Sequence, residues 1–162
     1  MTIDIWVGPI SALAGTGLGA WLTHTLSAGR WLKQQQWAIR EKRYMDLIEQ
    51  LTKAEIALQG QSQYYAETGS EHHNYDHNAH FVELGDAAGA ALRAVEQLAG
   101  PAQVFLSQRT VASVNELIKG DWSAAYGASF PGEYIEVVLP LVRKAHETLV
   151  TEARAALTAS EG

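Results

Sequence analysis

The chain has 162 residues, enough for one domain with an anchor or tail but too few for two large domains. It contains no cysteine, which excludes disulfide bonds, zinc–thiolate sites and a catalytic thiol. Its formal charge is −6, and the region from Ala54 to the end holds six basic and fourteen acidic residues. General nucleic-acid binding is therefore not expected, because contact with phosphates needs a net basic surface.

The first predicted element is an uncharged segment, Ile5–Gly29, which has no Asp, Glu, Lys or Arg. As a helix it would extend about 37 Å, more than the roughly 30 Å of a bilayer's hydrocarbon core. We therefore predict a transmembrane anchor over residues 1–29. Two alternatives stay open. One is a cleaved signal peptide, although no Lys or Arg precedes the segment; the other is a water-soluble helix rich in glycine and alanine.

The residues that follow are basic, which gives the predicted span a direction. No basic residue precedes the span, and five follow it closely: Arg30, Lys33, Arg40, Lys42 and Arg43. Because basic residues favour the cytoplasmic side, we expect the N-terminus outside a bacterial inner membrane and the rest of the chain in the cytoplasm. The five basic side chains would then lie against anionic headgroups, each adding about 1 kcal/mol of attraction.

Small residues recur at every fourth position of the same segment: Ser11, Gly15, Gly19, Thr23 and Ser27. They share one helix face, and small residues allow the close backbone approach through which helices associate in lipid. This face predicts a homo-oligomer. The alternative is a chance recurrence, since glycine and serine are common in weakly apolar spans.

Beyond Gly29 the apolar residues recur at helical spacing, which predicts helices at about 29–60, 81–99, 102–119 and 133–158. The polar, turn-rich segments 60–80 and 120–132 are predicted loops. Gly100–Pro101 should end the second helix and start the third. Pro140 should kink or split the last helix, because it cannot donate a backbone N–H.

These patterns predict an all-α fold in which the transmembrane helix leads into a long amphipathic helix over 30–59. An antiparallel bundle of about four helices would then include residues 81–162. Each helix has one predicted buried face, made of apolar residues three, four or seven apart. The faces are Trp37, Tyr44, Leu47, Leu51, Ala54 and Leu58; Phe81, Leu84, Ala88, Leu92, Val95 and Ala99; Val104, Val111, Val114 and Ile118; and Ile135, Val138, Val142, Ala145, Leu149 and Ala156.

The histidine-rich part of the 60–80 loop is the one candidate metal site. If it were helical, His73, His77 and His80 would share a face, and imidazoles bind zinc, nickel or copper. The spacing matches no metalloenzyme signature. The alternatives are a solvated polar loop and a mild pH response of clustered imidazoles. No cofactor is predicted.

No catalytic site is predicted, because Ser107, Ser113 and His146 lie in separate helical patterns without a motif around them. Four aromatic residues in and after the 120–132 segment are better functional candidates: Trp122, Tyr126, Phe130 and Tyr134. Aromatic side chains concentrate at surfaces that bind partner proteins. They also plug the open ends of helical bundles, and the sequence leaves both interpretations open.

The segment 31–51, WLKQQQWAIREKRYMDLIEQL, and the ending Ala153-Arg154-Ala155-Ala156-Leu157 carry a resemblance. Together with the glycine-rich segment before them, they resemble small, uncharacterised bacterial membrane proteins in which a single span leads into a cytoplasmic helical bundle. The resemblance covers most of the chain in layout. It implies that fold and location, and it implies no activity and no site residues.

The leading hypothesis from the sequence is a non-enzymatic, single-pass membrane protein. Its cytoplasmic bundle would be an interaction or regulatory module that binds another protein, and its span would associate with copies of itself. The second hypothesis is a pore-forming or membrane-disrupting effector, of the kind used in phage lysis or abortive defence. The third is a soluble helical subunit of a larger assembly, with residues 5–29 buried in partners.

Overall fold

The structure is a computed structural model that describes residues 7–68 and 78–160. Side chains are described at residue 35 and, from residue 38 onward, at all of these positions except 157, 159 and 160. Four helices occupy the described ranges: α1 (Val7–Thr68), α2 (Ala79–Ala102), α3 (Gln108–Gly127) and α4 (Pro131–Ser160). These ranges contain no strand, and the all-α prediction is confirmed for them.

The chain divides into two compact units, Met1–Ile39 and Arg40–Gly162. Among the described residues, no helix has a stretch apolar and long enough to cross a membrane. The predicted span begins at Ile5, outside the described residues. The side chains of the small-residue face (Ser11, Gly15, Gly19, Thr23 and Ser27) and of Arg30 and Lys33 are also outside them. Among the other predicted basic residues, Lys42 is exposed, while Arg40 and Arg43 are half-buried.

The second unit is a helical bundle, and the predicted seam of α1 lies in its core. Tyr44, Leu47, Leu51, Ala54 and Leu58 are all buried. Burial of one face at this spacing follows from the 3.6-residue helical repeat. The side chain of Trp37, also predicted in this seam, is outside the described residues.

Helix α1 continues to Thr68, so the prediction of a loop from residue 60 was wrong over 60–68. Contacts with α2 hold this last part of the helix. The buried side chain of Gln61 donates a 3.2 Å hydrogen bond to the carbonyl oxygen of Phe81. The Tyr64 and Phe81 rings lie 5.7 Å apart between centroids. The polar residues of 60–68 therefore belong to the end of α1, which packs on α2 through polar and aromatic side chains.

Helix α2 begins at a cap and ends later than predicted. The side chain of Asn78 accepts a 3.0 Å hydrogen bond from the Phe81 N–H, which satisfies a backbone donor of the first turn. The predicted face is buried except at Leu84, which is half-buried. The helix does not end at Gly100–Pro101 but continues to Ala102, whose side chain is fully buried.

The predicted bounds of the third helix were wrong at both ends. Helix α3 starts at Gln108, after the N-cap Ser107, whose hydroxyl oxygen accepts from the Thr110 N–H at 3.1 Å. Val104, predicted to point inward, precedes the helix and is 84% exposed. The helix passes through Gly120–Asp121 and continues to Gly127. Gly120 permits close packing there, since a Cβ atom would overlap with Leu141 Cδ1.

Helix α4 is one helix from Pro131 to Ser160, so Pro140 does not split it. Pro140 is exposed, as is Glu136, whose carbonyl loses its helical partner and can bond water instead. The predicted buried face is confirmed at Ile135, Val138, Val142, Ala145 and Leu149, and Ala156 is half-buried.

Two ion pairs show that α3 and α4 are antiparallel, as predicted. Lys144 contacts Glu116 at 2.7 Å, and Arg109 near the start of α3 lies 3.9 Å from Glu152 near the end of α4. The turn that joins the two helices, residues 128–130, therefore lies at one end of the bundle, next to the predicted aromatic residues.

Candidate functional site

Three of the four predicted aromatic residues are exposed to solvent at one end of the bundle. Trp122 is 49% exposed, Tyr126 is 82% exposed and Phe130 is 63% exposed. Large apolar side chains grouped on a surface are typical of interaction sites. Because these three side chains face water, they do not plug the bundle, and their role as a partner surface stays a prediction.

The secondary structure around these residues differs from the prediction. Trp122 and Tyr126 lie on the last turns of α3, not in a loop, and only Phe130 lies in the turn before α4. The separation of four residues places the two α3 rings side by side. Their centroids are 5.9 Å apart and the ring planes differ by 25°, which is a stacked arrangement.

The turn that carries Phe130 is held by hydrogen bonds at both ends. The Ala128 N–H donates to the Ala124 carbonyl oxygen at 2.9 Å, and the Ser129 N–H donates to Glu133 Oε2 at 2.7 Å. The Glu133 N–H donates to the Phe130 carbonyl oxygen at 3.1 Å. The backbone that carries the third exposed ring is therefore fixed relative to α3.

The exposed rings border two adjoining hollows, which we call the aromatic groove. The first hollow lies between α2 and α3 and has a volume of about 250 Å³. The second has a volume of about 480 Å³ and lies over the α3–α4 turn. Arg93, Asp121 and Ala125 line both hollows, so they mark the middle of the groove. Most of the remaining wall is apolar, including Leu92, Val95, Leu117 and Ile118 in the first hollow.

Tyr134, the fourth predicted aromatic residue, has a different role. It is half-buried, lines the second hollow and donates a 2.5 Å hydrogen bond from its hydroxyl to Asp121 Oδ1. Burial, the hydrogen bond to Asp121 and the charge of that carboxylate raise the pKa of the Tyr134 phenol well above its usual value. The neutral phenol joins α4 to α3 at the lining of the second hollow, so Tyr134 supports the groove.

No family model, curated protein or solved structure matches this chain.

A second cluster of polar side chains lies between α1 and α4, and the sequence did not predict it. His146 Nδ1 lies 3.0 Å from Glu55 Oε2, and His146 Nε2 lies 3.4 Å from Thr52 Oγ1. Arg143 Nε donates to the other oxygen of Glu55 at 3.2 Å. The signal in the sequence was a matching spacing of three residues, at Thr52 and Glu55 on α1 and at Arg143 and His146 on α4.

The order hydroxyl–imidazole–carboxylate in this cluster is that of a nucleophile with its base, but the hydroxyl proton is used elsewhere. Thr52 Oγ1 donates to the Ile48 carbonyl oxygen at 2.8 Å, one turn earlier in the same helix. An activated nucleophile must instead give its proton to the base. The geometry therefore favours a structural role, in which Glu55 and His146 join α1 to α4.

The two isolated serines considered in the sequence also have structural surroundings. Ser107 caps α3 and accepts from Thr110, while its own N–H donates to the Tyr44 hydroxyl oxygen at 3.4 Å. Ser113 is buried on α3. Among the described side chains, no hydrogen bond joins either serine to His146.

The histidine-rich candidate metal site falls largely outside the described residues. His73 and His77 lie in the range 69–77, and His80 is exposed on the first turn of α2. Among the described side chains, no group of three or more His, Asp or Glu residues is arranged to hold a metal ion. Metal binding by the three predicted histidines stays a prediction.

Proposed function

We propose that this chain is a non-enzymatic interaction module whose aromatic groove binds another protein. The observation that carries the proposal is the joint exposure of Trp122, Tyr126 and Phe130 beside two apolar hollows. Aromatic side chains supply large contact area at the centres of protein interfaces. A fixed turn and a stacked ring pair lower the entropy that ordering these side chains would cost on binding.

The proposal includes an anchor for the module. Residues 5–29 would form a single membrane span that associates with other copies through Ser11, Gly15, Gly19, Thr23 and Ser27. The supporting observations are the absence of charge from Ile5 to Gly29 and the basic residues directly after it. The module would then lie on the cytoplasmic side of a bacterial inner membrane, where its partner would be recruited to the membrane surface.

Site-specific photo-crosslinking tests the interaction module. A photoreactive phenylalanine analogue replaces Tyr126 in the full chain, which is produced in its native cells. A matched variant carries the analogue at Ile56, which is 65% exposed on α1, away from the groove residues. We expect a discrete adduct with one protein from position 126, its loss on Trp122→Ala, and no such adduct from position 56.

The interaction proposal fails if position 126 gives no adduct, or if positions 126 and 56 give the same adducts. Trp122→Ala removes a half-exposed side chain that stacks on Tyr126, so the variant is used only if it keeps the helical fold. Circular dichroism of the purified variant checks this point.

Carbonate washing of cell membranes tests the anchor separately. We expect the full chain to stay in the membrane pellet, and Gly15→Leu with Gly19→Leu to reduce cross-linking between copies without releasing the chain. Release of the unaltered chain into the soluble fraction would contradict the anchor and favour a soluble subunit. That outcome would leave the interaction module standing, because the two parts depend on different residues.

A further inference from the structure

The middle of the aromatic groove contains a cation without a partner among the described residues. Arg93 lines both hollows, and its side chain is exposed. No ion pair or hydrogen bond joins its guanidinium to any residue in the part of the chain that the structure describes. Of the other basic side chains described, Lys53, Arg109, Arg143 and Lys144 each have a carboxylate within 4.0 Å. No ion pair with a described residue is formed by Arg40, Lys42, Arg43, Lys119 or Arg154 either, and Arg93 differs from these five in lining both hollows.

The position of this guanidinium points to the second hollow. A Cβ atom on Gly89 would lie 3.3 Å from Arg93 Nη1, so the side chain folds back over the turn that precedes it. Gly89 lines the second hollow, together with Phe130, Pro131 and Tyr134. The absence of a side chain at Gly89 makes room for the guanidinium beside these apolar walls.

The acidic residues that line the groove form no ion pair with Arg93. Asp121 Oδ1 accepts from the Tyr134 hydroxyl, and Asp121 is not within ion-pair distance of Arg93. Glu96 lines the first hollow but not the second, and it forms no ion pair with Arg93. The lining of the second hollow includes one acidic residue, Asp121, and that of the first includes two, Asp121 and Glu96, so a carboxylate that pairs with Arg93 meets less like charge in the second hollow.

We infer that the aromatic groove recognises a segment of a partner protein in which an acidic side chain lies between apolar side chains. The apolar side chains fill the hollows beside Trp122 and Phe130, and the carboxylate pairs with Arg93. Guanidinium–carboxylate pairs combine charge with directional hydrogen bonds, so Arg93 would set the register of the segment. This inference rests on the proposed function, since it names the kind of partner that the groove would bind.

Three synthetic peptides that differ at one position test the inference. Each is an acetylated, amidated, dye-labelled amphipathic helix of about fifteen residues. Leucines lie three and four residues apart on one face, and the central position of that face is Glu, Gln or Lys. Binding to the full chain is measured by fluorescence anisotropy. We expect the Glu peptide to bind roughly fivefold more tightly than the Gln peptide, the value for one partly exposed ion pair.

Charge reversal at Arg93 supplies the decisive comparison. Arg93→Glu should reverse the preference, so that the Lys peptide binds most tightly. Arg109→Glu is the matched control, because Arg109 is an exposed arginine of α3 that lines neither hollow. It should leave the order of the three peptides unchanged.

Three results would overturn the inference: equal affinities for the three peptides, the same preference in Arg93→Glu, or no binding of the Glu peptide. Self-association of the chain that Arg93→Glu abolishes would also overturn it, by identifying the occupant as a second copy. The proposed function is judged apart from these results. Its measures are the adduct from position 126 and the effect of Trp122→Ala on that adduct.

Discussion

The hydroxyl of Tyr134 donates a 2.5 Å hydrogen bond to Asp121, and this contact joins α4 to α3. Both residues also line the second hollow of the aromatic groove, and Asp121 lines the first as well. The shape of the candidate binding surface therefore depends on a polar pair that does not need to contact the partner itself. This separates a supporting residue, Tyr134, from the three rings proposed to make contact.

Tyr134→Phe should destabilise the bundle by about 0.5–1.5 kcal/mol, the usual net value of a single hydrogen bond. The substitution keeps the ring and removes only the hydroxyl that Asp121 accepts from. Urea unfolding followed by circular dichroism measures the loss. Tyr126→Phe is the control. The Tyr126 side chain is 82% exposed, so removing its hydroxyl should leave the free energy of unfolding unchanged.

The raised pKa of Tyr134 predicts a loss of stability in alkali. The folded chain keeps the phenol proton at pH values where the unfolded chain has lost it. The contribution of Tyr134 is therefore complete below the ordinary phenol pKa of about 10 and declines as the pH rises from there toward the folded-state pKa. The free energy of unfolding is measured from pH 8 to pH 11, roughly one unit above the ordinary phenol pKa. Over this range it should decline more steeply for the unaltered chain than for Tyr134→Phe. Parallel curves would contradict this assignment.

The pair of Glu55 and His146 should stabilise the contact between α1 and α4. Both side chains are about one-quarter exposed, and their closest atoms are 3.0 Å apart. A double-mutant cycle with Glu55→Ala and His146→Ala should give a coupling energy of about 0.5–1 kcal/mol at neutral pH. Urea unfolding of the four chains measures it.

The control for that cycle is a pair within α1. Lys53 and Glu49 are 2.7 Å apart, but their side chains are 57% and 62% exposed. Exposed pairs four residues apart contribute about 0.3–0.5 kcal/mol, so their coupling should be smaller than that of Glu55 and His146. Equal values for the two cycles would show that the pair between the helices does not join α1 to α4 more strongly than a surface pair.

The buried faces of α1, α2 and α4 were largely predictable from the sequence, because burial follows a repeat that each helix imposes on its own side chains. The face predicted for α3 was not, since only Val114 of its four residues is buried. Leu47 and Leu51 on α1, and Val142 and Leu149 on α4, are buried as their spacing indicated. Helix ends were predicted less well. The predicted end of the third helix at residue 119 was wrong, because Gly120 lies within α3 and its lack of a side chain allows the approach of Leu141, a residue distant in the sequence.

The candidate site was predictable in part, because a sequence pattern reveals residues that are close along the chain and not those brought together by tertiary packing. Trp122, Tyr126 and Phe130 lie within nine residues of one another, so a local pattern was enough to single them out. Arg93 belongs to α2, and it joins them only through the packing of α2 beside α3. The pairing of Glu55 with His146 spans 91 residues and depends equally on tertiary structure.

Leu51→Ala should destabilise the bundle by about 2–5 kcal/mol, because it removes three carbon atoms from a close-packed interior. The Leu51 side chain is 0% exposed in the core shared by the helices of the second unit. Urea unfolding measures the change. Ile56→Ala, on the same helix, is the control: Ile56 is 65% exposed, and its substitution should change stability by less than about 0.5 kcal/mol. Similar losses for the two variants would contradict the burial of the α1 seam.

Gly132→Ala should destabilise the contact between the start of α4 and the end of α1. A Cβ atom at Gly132 would lie 2.8 Å from Cζ and 2.9 Å from Cε1 of the Tyr65 ring. The ring is rigid, so either it or the α4 backbone must move, and overpacking of this kind costs about 1–3 kcal/mol.

Gly127→Ala is the matched control, because no atom lies within 4 Å of the added methyl group. Removing that glycine should stabilise the chain by about 0.4–1 kcal/mol through the lower entropy of the unfolded state. Opposite signs for the two variants in urea unfolding are therefore expected, and a neutral or stabilising Gly132→Ala would show that α4 does not approach Tyr65 this closely.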